Sequence, residues 1–146
     1  MAVFAVNRKA AFDYEILETY EAGISLTGLE VKSVRAGRMN LVGAFVLVRG
    51  GEAWLLNAAV PPYQPKNAPA GYDPAGPRKL LLHRAELREL IGKSAAKGLT
   101  LLPVRVYTKG PRIKLEIGLA RRKRKYDKRE AIRRRDMERE AARAIE

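Results

Sequence analysis

Apolar and polar positions alternate most cleanly near the C-terminal third of the chain, where Ile113, Leu115, Ile117 and Leu119 are interleaved with Arg112, Lys114, Glu116 and Gly118. A period of two buries one face of a strand and leaves the other polar, so Lys114 is expected to point away from the core. This strand is the second half of a hairpin predicted over Thr100 to Leu119, turning at Gly110-Pro111. A second hairpin is predicted over Ala44 to Val60, where Phe45 to Val48 and Trp54 to Leu56 flank Gly50-Gly51. Tyr14 to Leu26, rich in aromatic and β-branched residues, reads as a bent strand, with Gly23 and Gly28 at bends. The period changes to 3.6 between Ala85 and Lys97, where Leu87, Leu90, Ile91 and Ala95 share one helical face and Gly98 supplies a stop. That helix should plug the sheet or barrel. Leu29 to Arg35 is a candidate shorter helix, and Pro61 to Lys79, with six prolines and two glycines, cannot be a regular element.

Short antiparallel strands with a few isolated helices make the chain mainly β, a small barrel or sandwich of the oligonucleotide-binding type. Its 146 residues suffice for one core and not for two full domains. Without cysteine there are no disulfides or thiolate metal sites, and a reducing, cytoplasmic setting is the expectation. The longest stretch free of charge, Ala53 to Pro65, is too short and too rich in proline to span a membrane. Met1 to Val6 is too short for a signal peptide and runs directly into Asn7-Arg8-Lys9.

Charge divides the chain. Lys and Arg number 29 against 16 Asp and Glu, a formal net charge of +13, which calls for a polyanionic partner. Residues 1–120 hold 17 basic and 10 acidic side chains, and residues 121–146 hold 12 and 6. We therefore expect a body over 1–120 and a basic tail over 121–146. Arg121, Arg122, Lys123, Arg124 and Lys125 run without an acidic residue until Asp127, so no packed stripe of opposite charges is expected there. Such a run releases counterions from phosphates, and Tyr126 adds a ring able to stack on an unpaired base. Asp127 with Glu130 fits a capping box, and Glu130, Arg134 and Glu138 form an i, i+4 row. Apolar residues beyond Asp127 form no broad stripe, so the tail is expected to be largely disordered when free and helical in a polyanionic site.

Catalytic chemistry finds little support. His83 is the lone histidine and has no second histidine or cysteine to complete a metal site or a nucleophilic pair, so capping, packing or ligand contact is its expected role. Gly92-Lys93-Ser94 lacks the earlier glycine of a phosphate-binding loop, since Leu87 stands there. Carboxylates such as Asp13 and Glu15 read as surface charge.

Asn7-Arg8-Lys9-Ala10, Tyr14, Glu21-Ala22-Gly23-Ile24, Leu29-Glu30-Val31-Lys32-Ser33, Arg35-Ala36-Gly37 and Asn40 occur in order. They are followed by Gly51-Glu52-Ala53, Arg78 to His83, Gly118-Leu119-Ala120 and Tyr126 to Glu130. As an ordered set spanning nearly the whole chain, these motifs resemble the SsrA-binding proteins, the small protein B family. The resemblance implies a cytoplasmic adaptor, not an enzyme, that needs no cofactor and is monomeric when free. Its implied partners are transfer-messenger RNA and the ribosome, in the rescue of stalled ribosomes by trans-translation. It also implies an oligonucleotide-binding-type barrel that holds the tRNA-like domain of the RNA and stands in for the missing anticodon arm. The alternative is a small basic ribosomal or assembly protein.

By motif matching, Asn7, Tyr14, Glu21, Leu81 and Lys114 are implied to support the RNA interface, and Lys32 joins them as a phosphate partner. Glu21 is expected to accept hydrogen bonds from base or sugar, or to orient a basic neighbour. Leu81 is as compatible with the core as with an exposed base. For the tail, the resemblance implies contacts in the decoding region by Tyr126, Asp127, Lys128 and Arg129. Arg121 to Lys125 and Arg133, Arg134 and Arg135 are expected along the empty messenger channel.

Overall fold

The computed structural model of the chain describes residues 1–145, with backbone only at 125–128, 130, 131 and 142–145. In chain order the elements are β1 Val3–Val6, α1 Arg8–Asp13, β2 Tyr14–Ile24, α2 Gly28–Arg35, β3 Phe45–Arg49 and β4 Glu52–Leu56. A 3-10 turn at Pro65–Asn67 precedes β5 Arg78–Leu81, α3 Arg84–Ser94, β6 Leu99–Lys109, β7 Arg112–Arg122 and α4 Lys125–Ile145. One antiparallel sheet orders the strands β1-β6-β7-β2-β5-β4-β3. Edge strand β3 comes up against β6, so the sheet curls into a barrel whose last seam is packed and not laddered.

Both hairpins form as their turn residues require. Gly50 and Gly51 take φ of 62° and 74°, the pair of left-handed residues that matches a two-residue turn to the twist of its strands. In β7, Leu115, Ile117 and Leu119 are buried, and Lys114 lies on the opposite face, as the alternation predicts. That opposite face is covered at one end: Gly118 and Ala120 lie beneath Ile16, Val104 and the α1 residue Ala10. The bend predicted in β2 is a shift of register between Ile16 and Glu18, while the strand continues straight through Gly23. Both predicted helices form. α2 carries the full capping box, with Thr27 Oγ1 accepting from Glu30 N and Glu30 Oε1 accepting from Thr27 N. Leu90 of α3 is wholly buried in the barrel core with Val34 of α2, and a buried leucine of this kind is worth about 2 kcal/mol.

Three elements lie outside the sequence expectation: β1, α1 and β5. β1 and β5 are four residues each, too short for a periodic signal, and each is held by its neighbours. The stretch Pro61 to Lys79, expected to hold no regular element, does hold the 3-10 turn at Pro65–Asn67 and the start of β5 at Arg78, because β4 offers Arg78 and Lys79 a ladder; the remainder is irregular and is tied down by Arg78. This side chain pairs with Glu30 at 2.7 Å and donates to the carbonyls of Ala58, Pro74 and Gly76. Tyr72 Oη reaches the Val60 carbonyl at 2.7 Å. Beyond Ala120 the strand runs two residues further than the body-tail division, and α4 starts at Lys125, two residues before Asp127. Ile132 and Met137 of α4 are 40% and 64% exposed, in line with the absence of a docking stripe. Arg135 stands over the Phe12 ring, 5.9 Å from its centre. No helix among the described residues is long and apolar enough to cross a membrane.

Candidate nucleic-acid interface

Lys114, Gly23 and Leu81 are direct register partners on the neighbouring strands β7, β2 and β5. Because Lys114 is on the outer face, the row forms one strip across the barrel wall. Gly23 makes the strip a groove: a Cβ there would lie 3.3 Å from Leu81 Cβ, so the space between Lys114 and Leu81 exists for want of a side chain. The groove encloses about 650 Å³ and continues over Glu21, His83, Arg35 and Arg112. Arg35 Nη2 donates to the Pro111 carbonyl at 3.1 Å, which ties α2 to the β6–β7 turn across one end. Leu81 is 53% exposed, which settles its place at the surface and not in the core.

Two carboxylates line the groove, Glu86 at the α3 side and Glu21 beside Lys114. The Glu21 carboxylate accepts from Tyr107 Oη at 2.5 Å and Lys109 Nζ at 3.2 Å, so it is oriented by the body itself. The Tyr107 hydrogen bond, followed by Lys109, holds the Glu21 carboxyl below the usual carboxylate range against the opposing pull of desolvation. Burial, with Glu21 second, pushes the Tyr107 hydroxyl up to about 12, so it remains a donor at neutral pH. Arg105 pairs with Glu116 at 2.9 Å and lies 5.0 Å from the Tyr107 ring centre, which completes a fixed polar layer beside the groove. A ligand here meets cations at Lys114, Arg35 and Arg112, an apolar floor at Gly23 and Leu81, and one pre-oriented acceptor. That combination suits a nucleotide: phosphate on the cations, a base face on the floor and an amino or hydroxyl donor at Glu21.

The other candidates lie elsewhere. Asn7 is buried and caps α1: its Oδ1 accepts from Ala10 N at 3.1 Å and its Nδ2 donates to the Pro103 carbonyl at 2.9 Å. Both polar atoms are thereby committed to the fold. Tyr14, at the end of α1, lines a shallow recess with Lys9, Phe45 and Arg122. Lys32 is exposed on α2, at a recess of its own. Glu21, Leu81 and Lys114 are thus brought together, while Asn7 with Tyr14, and Lys32, form two separate places.

The basic segment requires one correction. Arg121 does have an acidic partner: Glu15 of β2 faces it across the ladder, with Arg121 Nη2 2.7 Å from Glu15 Oε2. Partners 106 residues apart are invisible to a reading along the chain. Arg122 is the register partner of Tyr14, and Lys123 returns to α1, with its backbone N–H on the Asp13 carbonyl at 2.9 Å and Nζ on the Ala11 carbonyl at 3.2 Å. Arg121 to Lys123 therefore belong to the body. Arg124, Arg129, Arg133, Arg134 and Arg135 have exposed side chains. The side chains of Lys125, Tyr126, Asp127 and Lys128 lie outside the described residues. Arg35, Arg112 and His83 were not singled out as interface residues. His83 occupies the N-cap position of α3 without capping through its side chain, and its exposed ring borders the groove. Arg35 and Arg112 had a signal, since both flank quoted or alternating segments, but only the closed barrel sets them around one opening.

A family model described as SmpB protein matches residues 4–146. The SsrA-binding protein of Gloeothece citriformis is 54% identical over 139 residues, covering 95% of this chain and 90% of that protein. The SsrA-binding protein of a Sulfurihydrogenibium species is 55% identical over 138 residues, covering 94% and 90%. A solved structure described as "tmRNA-SmpB: a journey to the center of the bacterial ribosome" superposes with a TM-score of 0.68 at 50% identity, covering 88% of this chain and 94% of that one.

Proposed function

Since this chain belongs to the SmpB protein family, we propose that it binds the tRNA-like domain of transfer-messenger RNA and delivers that RNA to stalled ribosomes for trans-translation. It acts in the cytoplasm as an RNA-binding adaptor, without catalysis of its own. The observation that carries this reading is the strip Lys114–Gly23–Leu81 beside Glu21, where three strands bring a cation, an open apolar floor and a carboxylate around one groove.

The body holds the RNA and occupies the place of an anticodon arm. Lys114 takes phosphate, Leu81 and Gly23 offer a face to a base, and Glu21 accepts from an amino or hydroxyl group. Asn7 supports the interface by capping α1 and fixing the start of β2, on which Tyr14 sits. The tail enters the decoding region and the vacated messenger channel, where its cations meet RNA phosphate. A channel still filled with message excludes it, so the tail reports absence of message without reading a base.

The test compares binding to the tRNA-like domain and to an ordinary elongator tRNA for the full chain and for Lys114→Ala. Selective binding by the parent is expected, with a loss of about tenfold on losing one charge-assisted phosphate contact. Equal affinity for both RNAs would turn the reading toward a general basic RNA-coating protein.

A further inference from the structure

A second recess borders α2, apart from the groove. Leu29, Pro61, Pro62, Tyr63, Ala68 and Tyr72 contribute to its walls, and it encloses about 370 Å³. Its walls are already held in place. Ser33 Oγ donates to the Pro61 carbonyl at 2.6 Å, Tyr72 Oη to the Val60 carbonyl at 2.7 Å, and Arg38 Nη1 to the Tyr63 carbonyl at 2.9 Å, with the Arg38 guanidinium 5.4 Å from the Tyr63 ring centre. Tyr63 and Tyr72 are half-buried here, each with part of its ring open to the recess beside the prolines.

We propose that this recess receives an unpaired nucleobase of a bound RNA strand, with the adjoining phosphate on Lys32. Flat rings and prolines offer faces to a base and few hydrogen-bonding groups to read it, so the site tolerates any base. The charge is complementary. Lys32 is exposed at the recess, and the recess's carboxylate, Glu30, is already bound to Arg78 and to the Thr27 N–H. A cationic or neutral peptide would find no free acid here, whereas a nucleotide finds a cation. The recess and the groove are separate but border the same helix: Val31 and Arg35 line the groove, Thr27 to Glu30 with Lys32 line the recess, and Lys32 is one helical turn from Arg35. A strand leaving the groove crosses one helix, about 10 Å wide, to arrive there. The inference goes beyond the groove reading and shares with it only RNA as the ligand class.

The probe is a single-stranded adenosine heptamer with 2-aminopurine at its centre, titrated into the full chain while the Leu29 and Ala68 methyl resonances are followed. Expected are quenching of 2-aminopurine and shifts of both methyls, with binding at this site about tenfold weaker in Tyr63→Ala, the size of one lost stacking contact. Lys32→Glu should weaken it as well, and carries the test if Tyr63→Ala melts at a lower temperature than the parent. Lys114→Ala should leave the two methyl shifts in place. Its effect on the tRNA-like domain tests the groove separately. Shifts confined to the groove and tail would overturn the proposal. So would a proline-rich decapeptide that moves both methyls where the RNA does not, which would make the recess a peptide site.

Discussion

Arg78 and Glu30 show how much of this fold hangs on single side chains. The guanidinium binds the carboxylate that caps α2, two carbonyls of the proline-rich loop and the Ala58 carbonyl just before it, so a helix end and an irregular loop share one buried ion pair. Replacing Arg78 with methionine leaves Glu30 buried and unpaired, and unfolding in urea should show a loss of about 3–5 kcal/mol. The pair also sets an acid limit. Burial raises the Glu30 pKa, but the Thr27 N–H and Arg78 outweigh it and hold the value below that of an ordinary glutamate. A depressed carboxylate stabilises the fold fully above its unfolded pKa of about 4.3, and that stabilisation is lost as pH falls through the folded value. Urea midpoints of the parent and of Glu30→Gln should therefore differ at neutral pH and converge in acid; parallel curves would show that Glu30 is not the group responsible. Gly23 makes the opposite kind of demand, since its function is space. Valine suits a strand, but its Cβ would meet Leu81 Cβ at 3.3 Å and β5 has to give by a few tenths of an ångström, so Gly23→Val should lower the melting temperature modestly, leave the protein folded and fill the groove floor. Binding to the tRNA-like domain should fall about tenfold, the equivalent of one blocked base contact; unchanged affinity would remove the groove floor from the interface.

Among the elements, α4 stands apart. Its described side chains from Ile132 to Ala141 are exposed, and Arg135 reaches the body over the Phe12 ring. Rows of opposite charge at i and i+4 are worth a few tenths of a kcal/mol each, too little to hold a long helix alone. Circular dichroism of residues 121–146 as a free peptide should show mostly coil and gain helix on adding a polyanion; a fully helical free peptide would contradict coupled folding. Function should separate along the same line. Alanine at Asp127, Lys128 and Arg129 together should leave affinity for the isolated tRNA-like domain within about twofold, because the groove lies on the barrel, and should abolish tagging on stalled ribosomes. A large loss of binary affinity would place RNA anchoring in the tail. β7 joins the two parts: its end carries Arg121 and Arg122 within the ladder, so the cationic run starts as sheet and continues as helix.

For the molecule as a whole, the +13 charge and the groove contribute different things. Counterion release gives affinity that falls steeply with salt and carries no selectivity, whereas base contacts give selectivity that salt leaves in place. From low to physiological salt, affinity for the tRNA-like domain and for elongator tRNA should both drop, while their ratio stays nearly constant. A ratio that collapses with salt would mean charge alone was discriminating.

Sequence periodicity by itself determined the two hairpins, the outer placement of Lys114 and the helices α2 and α3, because these depend on neighbours two to four positions away along the chain, and composition alone gave the excess charge of the tail. Ordered motifs were enough to indicate the family. Closure of the barrel decided the rest. It set Lys114, Gly23 and Leu81 in one row, gave Arg121 its partner in Glu15, joined Arg78 to Glu30, and fixed the Asn7 amide on the Pro103 carbonyl. Each of these depends on residues far apart in the chain meeting across strands, and short elements such as β1 and β5 form only when that ladder is present to receive them.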